Sequence, residues 1–298
     1  MRVLALAAAA ALSALLPAPP RARAGEGEPV LLSVLSYNTH GLPSWIAGDD
    51  PPARYPLLLA KAARFDVVLL QEDFAHQAIV DSEKRHPLRV RGNGPTSGWP
   101  LFAGSGLTLL TRLPAVGEPV GVAYGACAGW LGGANDCLAE KGYLLQRLHS
   151  ASGAEIDVWN THLDAGPGAA DQAAREAQLD RLARAMAAHS AGRAVIAGGD
   201  FNLDWDEPPE RTLLERFLAR TGLAIAALVP EGAWDSRLDY LLFRPADAAR
   251  LAVREAGQAP GFVGAGGEPL SDHPAIFAVF EVPPADSSTE AEEAPGQE

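Results

Sequence analysis

Only two cysteines, Cys127 and Cys137, occur in the 298 residues. Neither has a partner at the spacing of a zinc site, which argues against thiolate metal chemistry. Basic residues are also scarce. There are 24 Lys and Arg against 37 Asp and Glu, a formal net charge of −13. Such a surface repels polyanions and disfavours a protein that must track along DNA. Beyond the first residues, no segment is long and apolar enough to span a bilayer. Internal repeats, a domain linker and a strict βαβ alternation are all missing. Their absence argues against a Rossmann fold or a barrel and for one layered α/β domain with mixed sheets.

The start of the chain is different. Arg2 precedes an alanine-rich apolar run from Val3 to Leu16. Prolines from Pro17 to Pro20 break it, and Ala22-Arg23-Ala24 offers a small-x-small cleavage site before Gly25. This is the pattern of a secretory leader over residues 1–24, with an uncleaved anchor as the alternative. No cysteine follows the run, which argues against a lipoprotein anchor. Cleavage would remove three arginines and no acid, taking the formal charge from −13 to −16. The expected location is secreted or periplasmic. In that oxidising setting Cys127 and Cys137 are expected to pair, with two free thiols as the alternative. The bond would clip the glycine-rich loop from Gly125 to Asn135. From Pro283 onward Pro, Ala, Ser and Glu dominate, the composition of an acidic disordered tail over 283–298. Residues 25–282 remain as a single domain.

Within it, Val30 to Tyr37 reads as a strand, and Phe65 to Leu70 as a strand buried on both faces. Further strands are expected at Gly106 to Thr111, Gly142 to Leu148, Ile156 to Asn160, Ala194 to Ala197, Leu238 to Phe243 and Ala275 to Val282. Helices are expected at Tyr55 to Arg64, Ala169 to His189 and Pro208 to Arg220, the last opening on a proline suited to a first turn.

Six polar motifs sit at the tips of these segments. Asn38, Glu72, His162 and Asp200 lie at strand ends, and Asp239 and His273 at strand starts. If the last two strands run antiparallel to the others, all six emerge at one edge. Glu72, at the mouth of a buried strand, is a poorly solvated carboxylate suited to Mg²⁺ or Mn²⁺; an ordinary strand-closing glutamate is the alternative. Asp73 should point away. In Gly198-Gly199-Asp200-Phe201-Asn202 the glycines let a ligand approach, and Asp200 and Asn202 can share a face. One can orient a water or bind metal while the other donates to a phosphoryl oxygen; the bland reading is an Asx-turn loop. His273 needs a carboxylate to fix its tautomer if it is a general base, and Asp239 is the natural candidate. Asp272 would then face the metal. At position 162 a structural histidine is the commoner case. His40, His76, His86, His149 and His189 receive no role.

In order, Ser36-Tyr37-Asn38, Leu70-Gln71-Glu72, Asn160-Thr161-His162, Gly199-Asp200-Phe201-Asn202, Leu238-Asp239-Tyr240 and Ser271-Asp272-His273 resemble the endonuclease/exonuclease/phosphatase superfamily. The resemblance implies a four-layered α/β sandwich, two mixed sheets face to face with helices outside. It also implies Mg²⁺-dependent phosphoester hydrolysis. By position, Glu72, Asn38 and Asp272 would serve the metal, and Asp239 and His273 would form the base dyad. Asp200, Asn202 and His162 would surround the phosphate. Cys137-Leu138-Ala139-Glu140-Lys141-Gly142 resembles the Lys-Gly segment of secreted bacterial sphingomyelinase C-like enzymes. Export, acidity and Trp130-Leu131 fit that branch, which implies a phospholipid substrate and transient contact with a membrane surface; a monomer is expected. A nuclease or phosphatase on the same site is the alternative. A non-catalytic binding protein on this scaffold is the reading from another class. His40 stands where many nuclease relatives carry a carboxylate, and no long apolar hairpin for membrane insertion is found.

Overall fold

The computed structural model describes residues 29–94, 104–129, 137 and 139–284. The expected leader, all but the first two residues of the expected tail, and Trp130-Leu131 lie outside these residues. Among the described residues no helix is long and apolar enough to cross a membrane.

The strands are β1 (Val30–Asn38), β2 (Val67–Gln71), β3 (Leu88–Arg91), β4 (Thr108–Thr111), β5 (Ala115–Ala123), β6 (Gly142–His149), β7 (Glu155–His162), β8 (Ala194–Asp200), β9 (Ala224–Ala227), β10 (Asp239–Arg244), β11 (Ala252–Gln258) and β12 (Ile276–Val282). The helices are α1 (Ser44–Ala47), α2 (Pro51–Ala62), α3 (Gln77–Ser82), α4 (Ala169–His189) and α5 (Pro208–Thr221). Two six-stranded mixed sheets form, in the orders β11-β12-β1-β2-β4-β3 and β5-β6-β7-β8-β10-β9.

Strand alternation builds the layers. Leu32, Val34, Val67 and Leu69 face the space between the sheets, where they meet Val158, Ile196, Leu241 and Phe280. Their neighbours Leu35, Val68 and Leu70 face outward and are covered by Tyr55, Leu58 and Leu59 of α2 and Val80 of α3. On the second sheet, Trp159, Val195 and Leu242 are covered by Leu179, Leu182 and Met186 of α4 and Leu214 and Phe217 of α5. The four-layered α/β sandwich is therefore as expected, and the unbroken apolar run of β2 is explained by burial on both faces.

Two details differ from the sequence reading. The helix expected from Tyr55 begins at Pro51, because Asp50 caps it through a hydrogen bond from the Ala53 amide and proline occupies its first turn. Four strands were not expected, β3, β5, β9 and β11, and each is an edge strand.

Direction decides where the motifs emerge. β1 runs parallel to β2, and β12 is antiparallel to β1. β7 runs parallel to β8, and β10 is antiparallel to β8. The C-terminal ends of β1, β2, β7 and β8 thus share one edge of the sandwich with the N-terminal ends of β10 and β12.

A polar staple joins the sheets beneath that edge. Gln71 Nε2 donates to Asn160 Oδ1 at 2.7 Å, and Asn160 Nδ2 donates to the carbonyls of Leu70 at 2.9 Å and Thr108 at 3.2 Å. All of these groups are buried. Asn160→Ala would take away the shortest partner of Gln71 Nε2, leaving it the 3.3 Å bonds to Ser36 Oγ and the Leu69 carbonyl, and is expected to lower unfolding free energy by about 1–3 kcal/mol. Urea denaturation checks this; a change below ~0.5 kcal/mol would show that the staple is energetically idle.

Candidate active site

Asn38 ends β1, fully buried. Its Nδ2 donates to Asp200 Oδ2 at 2.9 Å and, at a longer 3.3 Å, to Glu72 Oε1. Its Oδ1 accepts from the His40 amide at 3.0 Å, which fixes the orientation of the side-chain amide. Glu72 follows β2. Oε1 lies 3.9 Å from His162 Nε2, and Oε2 lies 4.0 Å from His40 Nδ1. Asp200 ends β8. Its Oδ1 accepts from the Asn202 amide at 2.9 Å, and its Oδ2 lies 3.3 Å from His162 Nε2 and 3.7 Å from His273 Nε2. Asn202 turns its Nδ2 onto the Leu163 carbonyl at 2.9 Å. Asp239 opens β10 and meets His273 Nδ1 at 2.9 Å through Oδ2, while its buried Oδ1 has no hydrogen-bond partner.

All eight residues singled out in the sequence therefore converge. Asp272 is the outermost, its side chain 57% exposed, and it bonds to His40 Nδ1 at 3.0 Å. Asp73 does point away: it is buried against Arg91 and Thr108. Two neighbours were missed. His40, two residues after Asn38, bridges Asp272 toward Glu72. Lys141, just before β6, places Nζ 2.6 Å from His162 Nε2 and 3.2 Å from Nδ1. The position of His40, two residues after Asn38 in the same motif, was the available signal. For Lys141 the signal was the Lys-Gly segment, read only as a likeness.

The local backbone is unusual in a consistent way. Among the described residues, four non-glycine residues have left-handed φ: His40 at 46°, Glu72 at 57°, Glu140 at 44° and Asn202 at 48°. Each is one of the site residues or adjacent to one. Such conformations persist where surrounding structure holds them, and they concentrate at functional sites. Arg54 does part of that holding. Its guanidinium donates to the carbonyls of Thr39, His40 and Leu270, tying the loop after β1 to the loop before β12. Ser271 Oγ adds a bond to the Asn38 carbonyl at 2.7 Å.

Gly199 lets β8 approach β7, since a Cβ there would lie 2.0 Å from the Thr161 carbonyl oxygen. Gly41 does the same for Glu72, because a Cβ would sit 1.9 Å from Tyr55 Oη and 2.4 Å from the Glu72 carbonyl oxygen. Gly41→Ala is expected to destabilise the fold by about 1–3 kcal/mol through overpacking and to displace Glu72. Thermal unfolding with and without Mg²⁺ measures both effects; unaltered stability and metal response would refute it.

Cys127 and Cys137 are disulfide-bonded. Their loop is moored to the exit of β7: the Ala128 amide donates to Asp164 Oδ2 at 2.6 Å, and Gln178 Nε2 donates to the Ala126 carbonyl and to Asp164 Oδ1.

The electrostatics separate two groups. Burial opposes a charge on His273, but the carboxylates of Asp239, Asp200 and Asp272 outweigh it and push its pKa well above 6.5. Burial would raise Asp200, yet His273, His162 and Lys141 hold its carboxyl well below the ordinary range. Burial would also lower His40, but its bond to Asp272 dominates and raises it. Ligand atoms of Asp200, Asp239 and His273 all lie within 4.8 Å of one another. The Nδ1 of His273 is engaged by Asp239, and its Nε2 lies 3.7 Å from Asp200 Oδ2. Glu72 and Asp272 offer hard oxygens, and among the described residues Glu72 has a long hydrogen bond and two distant rings around it. That donor chemistry fits a magnesium-type cation.

The chain belongs to the endonuclease/exonuclease/phosphatase family, whose model matches residues 35–273. A sphingomyelinase of Mycobacterium bovis is 28% identical over 264 residues, covering 82% of this chain and 51% of the relative. The chain thus spans about half the length of that relative. Sphingomyelinase C from Streptomyces griseocarneus is 24% identical with a TM-score of 0.62, covering 84% of this chain and 99% of that one. A beta toxin variant from Staphylococcus aureus with bound magnesium ions is 16% identical with a TM-score of 0.65, covering 83% and 98%. At these identities the two solved structures establish the shared fold.

Proposed function

We propose that the protein is a secreted, Mg²⁺-dependent phosphodiesterase that hydrolyses the headgroup ester of a phospholipid in the manner of a sphingomyelinase C. The convergence of the His273–Asp239 dyad with Asp200 and Glu72 at one edge carries the reaction class. The 28% identity to a sphingomyelinase over 82% of this chain supports the substrate class. So does a cleft of about 320 Å³ beside His273, walled by Tyr37, Trp234, Phe262, Val263 and Pro269, with no Lys or Arg among the described residues that line it. An apolar wall suits a lipid, whereas a nucleic acid calls for a basic groove. On this reading residues 25–282 form the catalytic domain, acting as a monomer in transient contact with a membrane surface.

Glu72, Asn38 and Asp272 would hold the cation, Mg²⁺ or Mn²⁺. When bound, it supplies Lewis-acid stabilisation of charge on phosphoryl and leaving oxygens. His273 accepts the proton of the attacking water at Nε2, and Asp239 fixes its tautomer through Nδ1. Asp200, between His273 and His162, holds the water on the in-line side. Asn202 and His162 face the phosphate and donate to its oxygens.

Phosphocholine release from sphingomyelin vesicles, set against nicking of plasmid DNA, tests this, each with Mg²⁺ and with EDTA. Mg²⁺-dependent lipid hydrolysis is expected. DNA cleavage without lipid hydrolysis would move the protein to the nuclease side of the family. Neither activity, with ligand binding altered by His273→Ala, would favour a binding protein.

A further inference from the structure

The cleft of about 320 Å³ beside His273 lies at the small end of ligand pockets, which run from about 300 to 1,000 Å³. It suits one compact group better than a pair of acyl chains. Three aromatic rings line it. Tyr37 is buried, and Phe262 meets it edge-on, with ring centroids 5.1 Å apart at 76°. Trp234 is partly buried, and Val263 is exposed. His273 belongs both to this lining and to the dyad with Asp239. That position selects which part of a diester enters. The water that His273 activates approaches phosphorus in line with the leaving oxygen and opposite to it. The leaving alcohol therefore departs on the side away from His273. The group beside His273 is the ester that stays on phosphorus. In a reaction of the sphingomyelinase C type the acyl chains leave and the headgroup stays.

The lining restricts the headgroup. Among the described residues that form it there is no Lys or Arg to pair with an anion and no Asp or Glu to pair with a primary ammonium. A primary ammonium brings three N–H donors that need acceptors. A quaternary ammonium has none, and aromatic faces hold it. Negative potential reaches the same place. Burial is the main reason the Tyr37 phenol titrates above its ordinary value; Arg54 opposes the rise, and the carboxylates of Asp272 and Asp239 add to it. Those two carboxylates draw a cation toward the cleft. The Arg54 guanidinium is engaged with Asp49 and with the carbonyls of Thr39, His40 and Leu270.

We propose that this cleft is the headgroup site, an aromatic cage of Tyr37, Trp234 and Phe262 that takes the quaternary ammonium of a choline phosphodiester. This rests on the reading of the site as a phosphodiesterase and goes further in saying which residues select the headgroup. The ammonium keeps its charge and its place throughout the reaction. The cage therefore holds ground state and transition state alike, and its loss is read in KM, whereas loss of the base is read in kcat.

Two soluble substrates test it: p-nitrophenyl phosphocholine and its uncharged isostere, 3,3-dimethylbutyl p-nitrophenyl phosphate. They share a shape and differ in the headgroup charge. Wild type is expected to prefer the choline ester by about 5–30-fold in kcat/KM. Trp234→Leu, which keeps apolar bulk and removes the ring, should abolish most of that preference through KM. The isostere should stay within about twofold of its wild-type rate, and Trp234→Tyr should restore the preference to within about threefold. The proposal is wrong if wild type treats the two substrates alike. It is equally wrong if Trp234→Leu slows both by the same factor, which would make the cleft a plain apolar wall. Should wild type cleave neither substrate, the reaction reading fails and calorimetric binding of choline decides the cage. Binding that weakens in Trp234→Leu and returns in Trp234→Tyr would uphold it, and absence of binding to wild type would overturn it.

Discussion

His273→Ala is expected to lower kcat for phosphodiester hydrolysis by about 10³-fold, within the range for loss of a positioned base, while activation by Mg²⁺ persists. The reason is the 2.9 Å bond from Asp239 to Nδ1, which leaves Nε2 as the proton-accepting atom. Only the neutral ring accepts a proton. Since the surrounding carboxylates raise its pKa well above 6.5, kcat/KM should climb with pH along a limb lying above that value. Asp239→Asn removes an anion, destabilises the imidazolium and moves the limb to lower pH, even as the plateau falls. A limb that stays in place in Asp239→Asn would show that another group is being titrated. Folding of the metal-free protein carries the matching signs. The raised His273 pKa adds stability that is fully present below 6.5 and lost as pH rises through the raised value. The lowered Asp200 pKa adds stability present above 3.8 and lost as pH falls through the lowered value.

Glu72→Ala should fail differently. With the carboxylate gone, the concentration of Mg²⁺ needed for half activation is expected to rise by about 10–100-fold, and kcat at ordinary Mg²⁺ to fall by a comparable factor. Calorimetric Mg²⁺ titration separates the two variants, with affinity kept in His273→Ala and lost in Glu72→Ala. Equal loss of metal in both would contradict the division between a metal side and a base side. Fold damage is not expected from Glu72→Ala, because among the described residues the side chain makes a 3.3 Å bond with Asn38, contacts at 3.9 and 4.0 Å with the rings of His162 and His40, and no salt bridge to Lys or Arg.

The sequence was legible where burial is two-sided. β1, β2, β8, β10 and β12 are interior strands, so their apolar runs announce them. The four missed strands are the four sheet edges. β5 carries Gly117, Glu118 and Pro119, and β11 carries Arg254 and Glu255. These residues keep an edge from pairing with another chain, and for that reason they hide the strand from a hydrophobicity reading. The site was legible for a similar reason. Asn38, Glu72, His162, Asp200 and Asp239 are polar interruptions of runs that should otherwise stay apolar. His40 and Lys141 interrupt nothing. Their places follow from contacts across the fold, His40 with Asp272 some 232 positions later and Lys141 with His162 across a hairpin.

The position of β12 has a consequence for the order of events. It lies inside its sheet, between β11 and β1, and pairs along β1 from Val30↔Val282 to Ser36↔Ile276. Among the described strands the first must therefore wait for the last. Until Ile276–Val282 emerges, β1 has an open side, and His273 has not yet met Asp239. A chain truncated before Leu270 is expected to be both inactive and prone to associate through that open side.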